Sequence, residues 1–418
     1  MRFSIKKILD PSINYGKMNK NNTYFPPIQA KKVATRQEEK WDEAIALFNS
    51  KQYNKVLPTI LDYVGSHLQN KKNGNTYEIA HGSVVITITQ TVDELVIKCP
   101  FLNIANAKRV PLMRRLAEIR MSPLNLTNVA LENELVYFSF SCPINVCEPY
   151  KIYGVLREIC YYADSYDDEF IEKFNAAHLQ EPNITPLSDD IKKAAYANYQ
   201  KIIEEGLQRF DHYMENRHEN NAWYTLNITL KKIEFYAEPQ GYLRTVLENA
   251  IDDIFDRNTP FQNRLLQGKA SLKKLQNYSI DKFSADLYQV ETFIPYKYSG
   301  KKENIRENWA DSYTDVQEMI ANARFEDASN VLQSCFYGLF YYNLVDESIG
   351  EPIINALAQA DGQNWNQAAP VLMKGMEAIM EDFLFDNDFG MDLSKIMGEQ
   401  MKQSMAAIRQ MMTNFKVS

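Results

Sequence analysis

The stretch Val84–Ile97, VVITITQTVDELVI, sets the frame for reading the rest of the chain. Val84, Ile86 and Ile88 alternate with Val85, Thr87 and Thr89, the period of two of a strand with one buried face. Leu95 and Ile97 follow the turn Thr91–Glu94, which predicts an antiparallel hairpin. Upstream the period becomes helical. Trp41, Ala44, Ile45 and Phe48 share one face. After the polar turn Asn49–Gln52, Tyr53, Val56, Ile60, Val64 and Leu68 share another, with Pro58 predicted to kink that second helix.

Downstream of the hairpin, a helix over about 111–120 carries Leu112, Leu116 and Ile119. A second strand pair follows, Leu124–Leu131 and Leu135–Phe140 about a Glu132–Asn133 turn, with Val136, Phe138 and Phe140 on one face. Two helices are expected to close the segment. One spans about 148–163 with Ile152, Val155, Leu156 and Ile159 inward, and the other about 165–178 with Phe170 and Phe174. Residues 37–178 thus predict the order α-β-β-α-β-β-α-α. That is an α+β domain, an N-terminal antiparallel sheet with flanking helices.

Pro182, Pro186 and Ser188 mark a boundary, beyond which the pattern predicts a mostly α-helical hairpin-repeat region. Residues 188–300 are expected as a helical domain. Ser188–Asp189–Asp190 caps a long helix over 191–216, further helices run over 242–255 and from Thr259–Pro260, and 286–300 is extended. Residues 222–236 fit a helix through Trp223, Leu226, Leu230 and Ile233, and a strand through Leu226, Ile228 and Leu230; length favours the helix. Residues 301–385 are expected as stacked helical hairpins. The spacings Tyr53/Val56/Ile60/Val64, Phe325/Ala328/Leu332/Phe336 and Trp365/Ala368/Leu372/Met376 repeat one another. The aromatic-x-x-Ala part resembles the turn and second helix of a tetratricopeptide repeat. It departs from that family in spacing, since Phe325 and Trp365 lie forty residues apart against the family's repeat of about 34. Ordinary antiparallel helix pairs explain the pattern as well.

The chain has 418 residues, 45% hydrophobic and 24% charged, with 25 Tyr, 21 Phe and 15 Met. That is an ordinary globular balance rich in large, adaptable side chains. The formal charge of −8 argues against nucleic acid as a partner, because phosphate binding needs a basic face. Residues 1–40 nevertheless hold nine Lys/Arg against three acids, and 376–400 hold seven acids against one Lys. Residues 1–36, rich in Asn, Lys and Pro, read as an extended basic arm, either a solvated tail or a segment that docks on an acidic surface. The basic start has no apolar run of a secretory signal, and no window is long enough to span a membrane. With five sparse cysteines (Cys99, Cys142, Cys147, Cys160 and Cys335) lacking any C-x-x-C, the expectation is reduced thiols and a cytoplasmic location.

No catalytic motif emerges. The Walker-type, dinucleotide-binding and nucleophile-elbow signatures are missing. Glu215 and His218 form a single Glu-x-x-His and read as a solvated helix face. Adjacent carboxylates such as Asp167–Asp168, Glu204–Glu205 and Asp252–Asp253 point different ways on a helix and read as solvated too. The expectation is therefore no cofactor, no metal and no enzyme activity. The most unusual segment is the last, 391–418. Met397, Met401, Met405, Ile408, Met412 and Phe415 recur at helical spacing and form the face of a Met-rich amphipathic helix. Flexible, polarisable methionines accept varied partners. These six are the candidate partner-binding residues, packing either on their own chain or on another.

The order in 37–178 resembles the small α+β domain of type III secretion chaperones and related bacterial sensory-regulator-like proteins. The match runs through the opening helices Trp41–Leu68, the hairpin Val84–Ile97, the middle helix Leu112–Ile119, the pair Leu126–Phe140 and the closing helix Tyr150–Tyr162. It covers about a third of the chain, which adds a long helical region that those short chaperones lack. The resemblance implies a non-enzymatic bacterial protein that holds extended client segments along apolar surface, often as a homo-oligomer. The leading expectation is a non-catalytic adaptor or chaperone with a protein partner or secretion-type client. The alternatives are a structural subunit of a large assembly and an enzyme with an unrecognised site.

Overall fold

The computed structural model describes residues 20–29 and 36–386, and side chains as far as residue 380. The chain is α+β, an antiparallel sheet with flanking helices followed by a mostly helical region. It opens with α1 (Glu38–Asn49) and α2 (Tyr53–Val64), a hairpin of helices with Pro58 inside the second. Strands β1 (Lys72–Asn73), β2 (Thr76–His81), β3 (Val84–Gln90) and β4 (Glu94–Asn103) follow, then α3 (Arg109–Met121), β5 (Asn128–Glu132) and β6 (Leu135–Pro143). The sheet order is β1-β2-β3-β4-β6-β5, antiparallel throughout.

The expected hairpin is β3–β4, with Ile88 opposite Ile97. Its inward side chains Ile86, Ile88, Leu95 and Ile97 are fully buried while Thr87 and Thr89 remain part-exposed, as the alternation requires. In β4 a bulge between Pro100 and Leu102 turns both Phe101 and Leu102 inward. β2 precedes the predicted hairpin and adds a strand to it, with Tyr77 and Ile79 inward between Glu78 and Ala80.

The two closing helices expected at 148–163 and 165–178 are a single helix, α4 (Pro149–Phe174), 26 residues long and ended by Asn175 in the left-handed conformation. Its apolar stripe Ile152, Val155, Leu156, Ile159 and Ala163 joins the sheet core. The run Asp164–Glu169 lies inside this helix, with Asp164, Ser165, Asp167 and Glu169 buried. β7 (Ala177–His178) then pairs with the end of β4.

The helical region begins after β8 (Ile184–Pro186) with α5 (Asp189–Glu215), α6 (Glu219–Ala237), α7 (Tyr242–Phe255), α8 (Phe261–Gln276) and α9 (Ile280–Ala285). The ambiguous 222–236 is helical. α6 lies between α5 and α11 and also meets α7 and α8, so residues 225–237 are all buried and no amphipathic period survives. β9 (Tyr288–Val290) pairs with β8, and β10 (Tyr298–Ser299) pairs in parallel with β11 (Asn343–Leu344). α10 (Lys302–Ala321), α11 (Phe325–Tyr342), α12 (Glu347–Gln359) and α13 (Trp365–Asp386) complete the chain's described part. α11 and α13 start at Phe325 and Trp365, and Ala328, Leu332, Ala368 and Leu372 are fully buried. α6 packing on α11 ties the segments on either side of residue 300 together, and the described residues through Met376 fall in one compact unit.

Two further expectations are corrected. The solvated-tail reading fails for residues 20–29, which lie extended on the helical region. Asn21 is buried, donates its backbone N–H to Gln363 O (2.7 Å) and its amide to Ala360 O (2.9 Å), and accepts from Gln333 Nε2 (2.7 Å). Arg209 donates to Lys20 O at 2.7 Å, Lys232 donates to Thr23 O, and Ile28 N–H donates to Tyr236 O at 3.0 Å. An extended segment needs such partners for its backbone groups, and polar helix side chains supply them. The reduced-thiol reading fails for Cys142 and Cys147, which form a disulfide. The short turn after β6 brings their Cα atoms to 6.6 Å, within a bridge's reach. Cys99, Cys160 and Cys335 are free. Among the described residues no helix is long and apolar enough to cross a membrane.

Candidate functional site: a tyrosine-lined cleft over buried charges

α4 and α7 cross where the α+β layer meets the helices, and the crossing is polar. Arg244, the third residue of α7 and 4% exposed along its side chain, donates to Asp164 Oδ2 (3.0 Å) and Ser165 Oγ (2.9 Å) on α4. The other oxygen of Asp164 accepts from the backbone N–H of Ser83 (2.8 Å) in the β2–β3 turn. Gly82 makes that approach possible. Its φ is +56°, and a Cβ there would collide with the Asp164 carboxylate. Ser83 Oγ also donates to Asp167, whose Oδ2 lies 3.6 Å from His178 Nδ1.

The electrostatics follow from burial. Burial, then neighbouring Asp168 and Asp164, push the Asp167 carboxyl well above the usual carboxylate range. Burial and the charges of Asp286 and Asp164 push Asp168 up to about 7. Burial pulls His178 down, opposite to the shift of the Asp167 carboxyl it faces. Burial works against the charge of Arg244, but Asp164 and Glu248 more than offset it and hold the guanidinium firmly protonated. A second buried pair lies close by. Lys297 Nζ donates to Glu234 Oε1 (2.6 Å) and to Phe340 O (2.8 Å).

Above these charges opens a cleft of about 820 Å³. Tyr161, Tyr162 and Tyr166 come from α4, Tyr341 and Tyr342 from the end of α11, and Tyr296 and Tyr298 from the segment that β10 ties to β11. Tyr162 and Tyr166, one turn apart, stack at 5.6 Å and 11°; Tyr341 and Tyr342 meet edge to face at 4.7 Å. Arg115 lies over Tyr166 at 5.4 Å and Arg157 over Tyr298 at 4.3 Å. Burial raises the phenols of Tyr161, Tyr162, Tyr166, Tyr341 and Tyr342, so they stay neutral rings with a donor at the tip.

The rim is acidic. Glu169 is met by Arg115 (3.3 Å) and Lys173 (2.8 Å). Glu248 has only Arg244 Nε at 3.8 Å, shared with Asp164, and Asp252 one turn on has no ion pair among the described residues. Burial raises both carboxyls, with Asp253 adding to the effect at Asp252. The neutral rings beside the weakly paired Glu248 and Asp252 suit a cationic side chain, through ring faces and charge together.

The six residues singled out in the sequence, Met397, Met401, Met405, Ile408, Met412 and Phe415, lie outside the described residues. Glu215 and His218 are both exposed. The solvated reading of Asp167–Asp168 is overturned, since Asp167 is fully buried. Its partner Ser83 lies 84 residues away, a separation that no local pattern reveals. The doublets Tyr161–Tyr162 and Tyr341–Tyr342 were visible signals, but nothing in the sequence brought them together. Among the described residues, no group of three His, Cys, Asp or Glu side chains is placed to hold a metal ion. No protein-family model, curated protein or solved structure matches the chain.

Proposed function

We propose that this protein is a non-catalytic, protein-binding adaptor or chaperone, and that it grips a partner segment by a lysine or arginine inserted into the tyrosine cleft. The observation that carries the reading is the pairing of seven tyrosines with the weakly paired Glu248 and Asp252 on one wall. Tyrosine gives large contact area at low conformational cost and is enriched where proteins meet. The resemblance of residues 37–178 to type III secretion chaperones points the same way, towards a bacterial protein that holds clients. The open edge strand β5 offers a second contact, because an extended segment can add to it while its anchor fills the cleft.

The test is a photo-crosslinking residue placed at Tyr162, which lines the cleft, of the full chain in its native cell. The expected result is a discrete protein adduct whose crosslinked peptide carries Lys or Arg at the junction. Asp252→Lys together with Glu248→Lys should abolish it. Recovery of small-molecule adducts alone, or of the same protein adduct from the charge-reversed chain, would overturn the reading.

A further inference from the structure

From Thr225 to Ala237 α6 is buried on every side, so each charge there needs a partner. Lys232 has Glu205 at 3.7 Å, and Glu234 has Lys297 at 2.6 Å. Lys231 differs. It is 3% exposed. No carboxylate and no hydrogen-bond acceptor meets its Nζ among the described residues. Around it stand the rings of Phe255 at 4.6 Å, Tyr342 at 4.8 Å and Tyr341 at 5.6 Å. One turn earlier on the same face, Asn227 is 1% exposed. Its Nδ2 donates to Ser334 Oγ at 2.7 Å, and its Oδ1 is buried with no partner.

Both side chains line a cavity of about 830 Å³. Its other charged liners are Arg36, Lys301 and Glu38, so cations exceed acids three to one. Trp223 and Trp309 stand in its wall. A lone buried ammonium in an aromatic box calls for an anion, and the flat walls call for a flat or apolar body behind it.

We infer that this cavity is a binding site for a small organic anion, a carboxylate or phosphate on an aromatic or apolar body, with Lys231 as its counter-charge and Asn227 Oδ1 accepting a hydrogen bond from it. Burial draws the Lys231 ammonium down to about 8, which leaves it mostly charged at neutrality. The cavity shares Tyr298 and Tyr342 with the tyrosine cleft, but anion binding by the purified chain is read without any protein partner.

Benzoate and phenyl phosphate are the probes, and benzyl alcohol is the uncharged control. Each is titrated into the full chain by calorimetry and by tryptophan fluorescence, to which Trp223 and Trp309 contribute. Saturable binding of at least one anion, at least about tenfold tighter than the alcohol, is expected. Lys231→Met should lose that preference while melting no lower than the parent, since it removes an unpaired buried charge. Lys231→Gln gives the same reading should the Met variant misfold. No saturable binding of either anion, equal binding of benzyl alcohol, or unchanged anion affinity in the variants would each overturn the assignment.

Discussion

Asp168 and its neighbours make stability depend on pH in an unusual direction. A carboxyl held at about 7, against an ordinary 3.8, binds its proton more tightly in the folded chain than in the unfolded one. Its contribution is fully present below about pH 4 and is lost as pH rises towards 7. Asp286, pushed up to about 6 by burial, and Asp167 act in the same sense. Urea midpoints are therefore expected to fall between about pH 5 and about pH 8. Asp168→Asn should flatten that fall and raise the midpoint at the higher pH. A variant curve parallel to the parent's would remove Asp168 from the account. None of this was legible in the run Asp164–Glu169, because helical periodicity places a side chain on a face without saying what covers that face.

Among the elements, β3, β4, β6, α5 and α7 stood close to where periodicity put them. Each has one buried side, and a one-sided element records its period in its residues. α6 and α4 did not read so plainly. α6 is enclosed on every side and keeps no period. α4 carries buried acids in its second half that imitate a helix end. The Cys142–Cys147 bridge belongs to this scale, since it closes the turn between β6 and α4. A loop this short contributes roughly 2 kcal/mol through the unfolded chain. The double variant Cys142→Ser/Cys147→Ser should lower the stability measured in urea by about that amount. Dithiothreitol should bring the parent chain to the same value. Equal stability with and without the bridge would show that it contributes nothing.

At the scale of the whole molecule, Arg244 joins the two layers. It stands on α7 and reaches Asp164 and Ser165 on α4, and Asp164 in turn holds the β2–β3 turn through Ser83. Arg244→Met leaves the Asp164 carboxylate buried without its cation, at an expected cost of about 3–5 kcal/mol in urea unfolding. Adding Asp164→Asn should return part of that loss, and the difference measures their coupling. A cost below about 1 kcal/mol would place the layer contact elsewhere, in the apolar packing.

The α+β class, the β3–β4 hairpin, the strand pair β5–β6 and the helical run after residue 188 were determined by the sequence itself. Each of these follows from side-chain periodicity and turn chemistry over a few residues, and such local terms act whatever the rest of the chain does. The cleft, the charges beneath it, the docked segment 20–29 and the cavity at Lys231 were decided only by tertiary structure. Their partners lie tens to hundreds of residues apart. A tyrosine or a buried ion acquires its energy from whatever distant group the fold sets against it.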